Sequence, residues 1–153
     1  MEEDSKIVAL SLGSNLGDKE GNLKSAINQL EISVGEVLNV SENFHSRPLG
    51  FQSENEFINC CCIIKTKLPI YEFISETQKI ELNLGRLKKK TKGYEDRIID
   101  IDVIFFGDQI IKSENLIIPH EHFRKRDFVL LPLNQILNQI DPETFISVNQ
   151  FTN

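Results

Sequence analysis

The order in which strand-like and helix-like segments alternate constrains this chain more than any other feature of its sequence. Two segments carry apolar residues at helical spacing, one between Asp18 and Gly35 and one that opens at Pro69 and ends at Gly85. β-Branched and aliphatic runs predict four strands, at residues 6–12, 37–44, about 56–65 and 98–106. The order strand, helix, strand, strand, helix, strand is typical of a ferredoxin-like split βαβ core of the α+β class. In that core, helices pack on one face of an antiparallel sheet.

The remaining sequence predicts additions at the C-terminal end of this core. A turn at 107–108 should return the last strand to a short hairpin partner at 109–111. Beyond it we expect a loop around 119–120, a short helix at about 132–137 and room for one more strand. A length of 153 residues without repeats or a linker predicts one domain over 1–153, which we expect to be monofunctional.

Composition excludes several classes of protein. Hydrophobic residues make up 40% of the chain and charged residues 26%, which is unlike collagen-like, mucin-like or largely disordered proteins. The longest apolar runs, at 60–64 and 128–133, are far shorter than the roughly 20 residues of a membrane-spanning helix. The N-terminus is acidic where a secretory signal would be basic and then apolar. We therefore expect a cytoplasmic protein without a membrane partner.

The three cysteines stand at adjacent positions, Cys60, Cys61 and Cys62. A disulfide framework needs separated pairs, and a zinc site needs spaced ligands. The pattern favours small buried hydrophobic side chains in a reducing compartment over a metal or redox role.

Positive charge is unevenly distributed along an acidic chain. The formal net charge is -6, which argues against a generic nucleic-acid binder. Nine of the 17 Lys and Arg residues nevertheless fall in two short segments, six of them between Arg86 and Arg97 and three at 124–126. Such runs are usually solvated faces, and the alternative is a site for an anion.

Two aspartates in the strand at 98–106 are the first candidates for chemistry. Asp100 and Asp102 are two residues apart, so they should project from one face of the strand about 7 Å apart. Their repulsion at an effective dielectric of 20 would cost about 2 kcal/mol without a cation. Hard oxygen ligands without a neighbouring His or Cys suit Mg²⁺. On the pair alone, a magnesium site and a solvated polar face are equally good interpretations.

The position of the basic segment favours the magnesium interpretation. Arg97 stands three residues before Asp100, so cations able to hold phosphates converge on carboxylates able to hold a metal. Phosphoryl transfer needs that combination, although no P-loop or GxGxxG motif occurs. His120 could donate to a phosphate or be simply structural. Phe57 and Phe128 are expected in the core on sequence alone.

The chain resembles the 6-hydroxymethyl-7,8-dihydropterin pyrophosphokinase family over about residues 7–141. The most specific short signature is Arg97-Ile98-Ile99-Asp100-Ile101-Asp102. The other matching motifs are Gly13-Ser14-Asn15-Leu16, Pro48-Leu49-Gly50, Phe57-Ile58-Asn59, Gln78-Lys79-Ile80-Glu81 before Gly85-Arg86, Pro119-His120 and Arg126-Asp127-Phe128. The resemblance implies transfer of the β,γ-pyrophosphoryl group of ATP to the pterin hydroxymethyl group, with release of AMP, in folate biosynthesis.

The resemblance also implies roles for individual residues. Asp100 and Asp102 would hold two Mg²⁺ ions that bridge the ATP phosphates. The residues implied to contact those phosphates are Arg86, Lys88, Arg97, His120 and Arg126. Gln78, Glu81 and Val103 would line the ATP site. Phe57 and Phe128 would sandwich the pterin, while Ser46, Asn59 and the backbone around Leu49 would read its hydrogen-bonding edge.

The sequence departs from the family pattern at a few positions, and two other functions compete with this one. Tyr94-Glu95-Asp96-Arg97 stands where many members have an aromatic-Gly-Pro-Arg run, and Lys88 stands where Arg is common. One alternative is a non-catalytic ferredoxin-like module that binds RNA or an anion, although the chain has no Trp and only two Tyr. The other is a phosphotransferase with a different acceptor. We expect a monomer whose partners are small molecules and not nucleic acid.

Overall fold

The computed structural model describes residues 4–47, 55–85 and 96–151. The strands are β1 (Lys6–Ser14), β2 (Glu36–Val40), β3 (Phe44–Ser46), β4 (Phe57–Thr66), β5 (Asp100–Phe106), β6 (Ile111–Lys112) and β7 (Ile117–Ile118). The helices are α1 (Lys19–Ser33), α2 (Ile70–Asn83) and α3 (Asp127–Ile136), and 3-10 turns occupy Phe123–Lys125 and Val148–Phe151. None of these helices is long and apolar enough to cross a membrane.

An antiparallel sheet in the order β2-β4-β1-β5 organises the molecule, and β3 pairs with β4 beyond the end of β2. The central strand β1 is paired along both edges, and seven of its nine residues are buried. Strand β5 therefore lies at one edge of the sheet. This placement leaves the outer side of β5 open to side chains from other elements.

Helices cover both faces of the sheet. The first core cluster joins α1 and α2 to one face through buried residues that include Leu23, Leu30 and Phe73. The second cluster joins α3 to the opposite face and includes Leu130 and Leu133. The prediction of helices on one face therefore holds for α1 and α2 but not for the C-terminal helix.

The predicted order of four strands and two helices is confirmed, with β3 as an additional short strand. The predicted strand at 37–44 is interrupted because Ser41 Oγ accepts a hydrogen bond from the Cys61 N–H at 2.9 Å, in place of a strand carbonyl. The predicted short helix at 132–137 starts earlier, at Asp127, and includes Pro132 within it. All three cysteines are buried as predicted, and burial raises the pKa of Cys60 to about 12.

The predicted hairpin between β5 and residues 109–111 is wrong. The Gly107 N–H donates to the carbonyl of Ile7 at 2.8 Å, which ties the turn to β1, and the chain then leaves the sheet. Strand β6 instead pairs with β7 in a separate two-stranded sheet. Near the C-terminus, where one more strand could have formed, Ile140 and Ser147 form an isolated β-bridge.

Candidate active site

The register of the central strands brings the two aspartates beside two positions of β1. Asp102 lies opposite Ser11, and Asp100 lies opposite Gly13. On the other side of β1, Gly13 lies opposite Asn59 of β4. Cross-strand partners project from the same face of a sheet, so the aspartates and Asn59 share one surface. Both aspartates are half-buried on it.

Gly13 is required by the close approach of its neighbours. A Cβ atom at this position would lie 2.8 Å from Asn59 Oδ1 and 3.3 Å from the Phe57 ring. Asn59 is 3% exposed, and its Nδ2 donates to Ser46 Oγ at 2.7 Å. The missing side chain in β1 thus makes room for an amide that β3 holds in a fixed orientation.

Asp102 lies near two other carboxylates, those of Asp100 and Glu81, and near two arginines, Arg97 and Arg126. Arg97 Nη1 lies 3.1 Å from Asp100 Oδ2. Burial raises the pKa of Asp102 well above its usual range, and the nearby charges of Asp100 and Glu81 raise it further. Arg126 and Arg97 oppose this shift without cancelling it. Among the residues that the structure describes, the two arginines therefore do not offset the effect of burial and of the neighbouring carboxylates on Asp102.

Glu81 reaches this cluster from α2. Its Oε2 accepts a hydrogen bond from the Ile101 N–H at 2.8 Å, on the outer edge of β5. Glu81 thus binds a backbone N–H that an additional strand at this edge would otherwise bind. The same bond brings a third carboxylate close to Asp102.

Two clefts meet at the aspartates. The first is lined by Ser46, Phe57, Asn59, Arg126 and Phe128, with Ser11, Gly13 and Arg47 around them. The second, with a volume of about 390 Å³, runs along the edge of β5 and is lined by Gln78, Glu81, Val103 and His120, among others. Arg97, Asp100 and Asp102 line both clefts. A group bound in one cleft can therefore approach a group bound in the other at these three side chains.

The aromatic residues of the first cleft are not core residues. Phe57 and Phe128 are both half-buried. Phe57 belongs to neither core cluster, and Phe128 packs only at the margin of the second. The Arg126 guanidinium lies over the Phe128 ring, 5.6 Å from its centroid. The expectation from sequence alone that these rings belong to the core is therefore wrong for Phe57, whereas Phe128 borders the core and also lines the cleft.

A bulge in β5 positions His120. The pairing with β1 passes from Val103 to Phe105, so Ile104 is an extra residue, and its carbonyl accepts the His120 N–H at 3.0 Å. The His120 Nδ1 accepts the N–H of His122 at 3.1 Å, which assigns the ring proton of the neutral form to Nε2. Burial lowers the pKa of His120 to about 4, and the charges of Arg126 and His122 contribute in the same direction. At neutral pH this side chain is an uncharged hydrogen-bond donor.

The donor set of the cluster fits a magnesium ion. Within residues 4–47, 55–85 and 96–151, no group of three or more His, Cys, Asp or Glu side chains forms a ready metal site. Mg²⁺ binds through one or two carboxylates and completes its octahedral shell with water and phosphate oxygens. The uncompensated charge around Asp102 is the feature that a divalent cation would offset.

Three residues with predicted roles, Leu49, Arg86 and Lys88, lie outside the described residues. Sequence reasoning gave no role to Ser11 and Arg47, which line the first cleft. Ser11 is a buried polar residue within the apolar run from Ile7 to Leu12, and that contrast is the signal that could have indicated it. Arg47 had no comparable signal.

Comparison with known proteins identifies the family of the chain. The sequence profile of the 7,8-dihydro-6-hydroxymethylpterin-pyrophosphokinase family matches residues 9–138. A 2-amino-4-hydroxy-6-hydroxymethyldihydropteridine pyrophosphokinase of Porphyromonas gingivalis is 38% identical over 139 residues, covering 90% of this chain and 95% of that enzyme. The chain belongs to this family. Members of the pyrophosphokinase family are ATP-dependent diphosphotransferases of folate biosynthesis, and the comparisons support that activity here.

Some relatives of this pyrophosphokinase family member are much longer. The folic acid synthesis protein fol1 of Pneumocystis carinii is 39% identical over 149 residues, which is 97% of this chain but 20% of that protein. The chain therefore spans about a fifth of the length of that relative. Among solved structures, wild-type Plasmodium falciparum HPPK-DHPS with STZ-DHP superposes with a TM-score of 0.72 at 18% identity. The superposition covers 98% of this chain and 42% of that one, and it shows a shared fold.

Proposed function

We propose that this chain transfers the pyrophosphoryl group of ATP to the hydroxymethyl group of 6-hydroxymethyl-7,8-dihydropterin and releases AMP. The observation that carries the proposal is the sharing of Arg97, Asp100 and Asp102 by two clefts of different character. One cleft has aromatic walls and a fixed amide, and the other follows a sheet edge beside a neutral histidine. A reaction between two bound substrates needs such a junction, with charge-neutralising groups at the point of transfer.

The first cleft suits the pterin. Phe57 and Phe128 line this cleft, and a flat heterocycle would gain from offset stacking on their rings. The Asn59 Nδ2 donates to Ser46 Oγ and to the Phe44 carbonyl, so its Oδ1 is the atom that would accept from an N–H of the pterin ring. Its orientation is supported by the bond to Ser46 Oγ. The backbone around Leu49 is assigned to the same edge on the family resemblance.

The second cleft suits ATP. Gln78, Glu81 and Val103 would line the nucleotide site, and His120 would donate from Nε2 to a phosphate oxygen. Arg97 and Arg126 would neutralise charge on the transferred group, with Arg86 and Lys88 assigned to the phosphates on the family resemblance. Asp100 and Asp102 would hold two Mg²⁺ ions against the phosphate oxygens. When bound, Mg²⁺ supplies charge neutralisation and a template for in-line displacement.

Transfer needs no covalent intermediate with the protein. The hydroxymethyl oxygen forms a bond to the β-phosphorus, and the bond between that phosphorus and the oxygen bridging to the α-phosphate breaks. AMP leaves with that oxygen, and the hydroxyl proton is released to solvent. The work of the side chains is to align the two substrates and to neutralise charge as it shifts toward AMP.

We assign the core to the ferredoxin-like split βαβ class, as one pyrophosphokinase domain over 1–153. The support is the antiparallel order β2-β4-β1-β5, in which each helix connects two strands that are not neighbours in the sheet. A cytoplasmic monomer that binds only small molecules stays a prediction.

The test is to incubate the protein with ATP, Mg²⁺ and the hydroxymethyl pterin and to separate the nucleotides formed. We expect AMP in amounts equal to the pterin consumed, and no AMP when the pterin or Mg²⁺ is omitted. Formation of ADP would favour a phosphotransferase with single phosphate transfer. Binding of RNA without any turnover would favour the non-catalytic module.

A further inference from the structure

The carboxylate of Asp96 joins three segments that border the two clefts. Asn15 Nδ2 donates to Asp96 Oδ1 at 2.7 Å, and Asn55 Nδ2 donates to Asp96 Oδ2 at 3.1 Å. Asn15 follows β1, Asn55 precedes β4, and Asp96 precedes β5. One side chain therefore ties together the ends of the three strands that carry the candidate active site.

Asn15 extends this constraint to the neighbouring Arg97. Its Oδ1 accepts the Arg97 N–H at 2.6 Å, and its own N–H donates to the Arg97 carbonyl at 3.0 Å. Its Nδ2 also donates to the carbonyl of Asn55 at 3.3 Å. Asn15 is 1% exposed, and both donor positions and the acceptor of its amide are in use. The backbone of Arg97 is thus held on both sides by a residue that Asp96 and Asn55 fix in turn.

The position of Arg97 matters because its guanidinium lies at the junction of the clefts. The side chain is 12% exposed, and Nη1 is 3.1 Å from Asp100. Misplacement of a reacting or charge-neutralising group by about 1 Å can reduce turnover by about a hundredfold. Asp96 itself lines neither cleft, so any effect of its carboxylate must pass through the residues it holds.

We propose that Asp96 is a positioning residue for the transfer reaction, and this rests on the proposed function. Its carboxylate fixes the Asn15 and Asn55 amides, and through Asn15 it holds Arg97 where that guanidinium meets Asp100 and the transferred phosphates. The same carboxylate joins the segments that follow β1 and precede β4 and β5. Its loss should therefore let Arg97 move, while the side chains that line the two clefts stay in place.

The test compares Asp96→Ala, Asp96→Asn and Asp108→Ala in the AMP-forming assay, with melting temperatures as a measure of folding. Asp108 is an exposed aspartate in the turn after β5 and serves as the matched control. We expect Asp96→Ala to lower kcat about ten- to a hundredfold, with KM for the pterin little changed. Asp96→Asn should show a smaller loss, because its amide oxygen can still accept from one asparagine while its NH₂ faces the other. Asp108→Ala should match the wild type.

A double-mutant cycle separates positioning from a general structural role. If Asp96 acts through Arg97, adding Asp96→Ala to Arg97→Ala should cause no further loss of kcat. The inference is overturned if Asp96→Ala keeps wild-type kcat, or if its loss is as large in the Arg97→Ala background as in the wild type. Should Asp96→Ala fail to fold, Asp96→Asn enters the same cycle with the same criteria. A wild-type protein that forms no AMP would instead reject the proposed function itself.

Discussion

Two arginine–aspartate groups in this molecule use the same residue types for opposite purposes. In the C-terminal group, Arg124 lies over the Phe123 ring at 4.7 Å and its Nε donates to Asp141 at 2.6 Å. In the site, Arg126 lies over Phe128, and its charge lowers the pKa of Asp102 against the larger effect of burial. Both groups combine an arginine, an aromatic ring and an aspartate. They differ in whether the carboxylate has enough partners.

Asp141 is satisfied within the protein. Burial favours its neutral form, but hydrogen bonds from Arg124, the Glu143 N–H and the Thr144 hydroxyl outweigh burial and hold its pKa below the usual value. For Asp102 the opposite effects are larger, because burial and two neighbouring carboxylates raise its pKa more than the nearby arginines lower it. The difference indicates that Asp141 contributes to folding, whereas a bound cation would favour the ionised form of Asp102.

The largest expected effect is on turnover. Asp102→Asn should reduce Mg²⁺-dependent AMP formation about a thousandfold, because metal coordination supplies several kcal/mol of transition-state stabilisation. The free energy of unfolding without ligands should not fall, since the substitution removes a repelled charge. Steady-state assays and urea unfolding check both statements. Near-normal turnover would remove Asp102 from the metal site, and lower stability would show that its charge is compensated after all.

The aromatic rings of the two groups, Phe123 and Phe128, should also differ in their contributions to stability and binding. Phe123 is fully buried and packs edge-on against Phe105, so Phe123→Ala should cost about 3 to 5 kcal/mol of stability. Phe128→Ala should cost much less stability and weaken pterin binding by about 1 kcal/mol plus the lost buried area. Melting temperature and pterin titration on both variants measure this difference, with an ATP analogue as the control ligand. A large stability loss with unchanged pterin affinity would return Phe128 to the core.

Removing the satisfied carboxylate should affect only folding. Asp141→Asn should lower the free energy of unfolding by about 1.5 to 3 kcal/mol, the range for hydrogen bonds to charged groups. Its kcat should stay at the wild-type value, because Asp141 lines neither cleft. Chemical denaturation alongside the AMP assay tests this. A loss of turnover in folded Asp141→Asn would contradict the separation of the two groups.

The smallest expected effect is a pH dependence that belongs to Asp141. Its folded-state pKa is lowered, so its contribution to stability is present above the unfolded pKa of about 4 and is lost as the pH falls through the folded value. The stability difference between the wild type and Asp141→Asn should therefore be largest near pH 7 and shrink below about pH 4. Unfolding curves across this range provide the measurement. If the stability difference between the two proteins does not change below about pH 4, the charge of the Asp141 carboxylate does not contribute to stability.

Alternation within a strand and the order of elements could be predicted, while contacts distant in sequence could not. Side chains alternate between the two faces of any strand, so Asp100 and Asp102 must share one face. Their pairing with Gly13 and Ser11 of β1 agrees with that prediction. The place of Asn59 beside Gly13 depends on strand register, which the sequence pattern leaves open. The bond from Asn15 to Asp96 joins residues 81 positions apart, and no local pattern indicates it.

Two local signals were also overridden by tertiary contacts. The turn at Gly107 has the composition of a hairpin turn, yet its N–H is bound to β1, and the edge of β5 is used by Glu81 and His120. Pro132 is typical of a helix start but lies inside α3, where the apolar residues Leu130 and Leu133 anchor the helix on the sheet. Burial of those side chains outweighs the hydrogen bond that proline cannot donate.

Metal binding tests most directly whether Asp100 and Asp102 are the centre of this site. Mn²⁺, a spectroscopic substitute for Mg²⁺, can be titrated by electron paramagnetic resonance in the presence of a non-hydrolysable ATP analogue. We predict that the wild type and Asp141→Asn bind Mn²⁺ with equal affinity and that the Asp100→Asn/Asp102→Asn double variant binds it at least about tenfold more weakly, a difference of about 1.4 kcal/mol. Equal affinity in the double variant and the wild type would contradict the account.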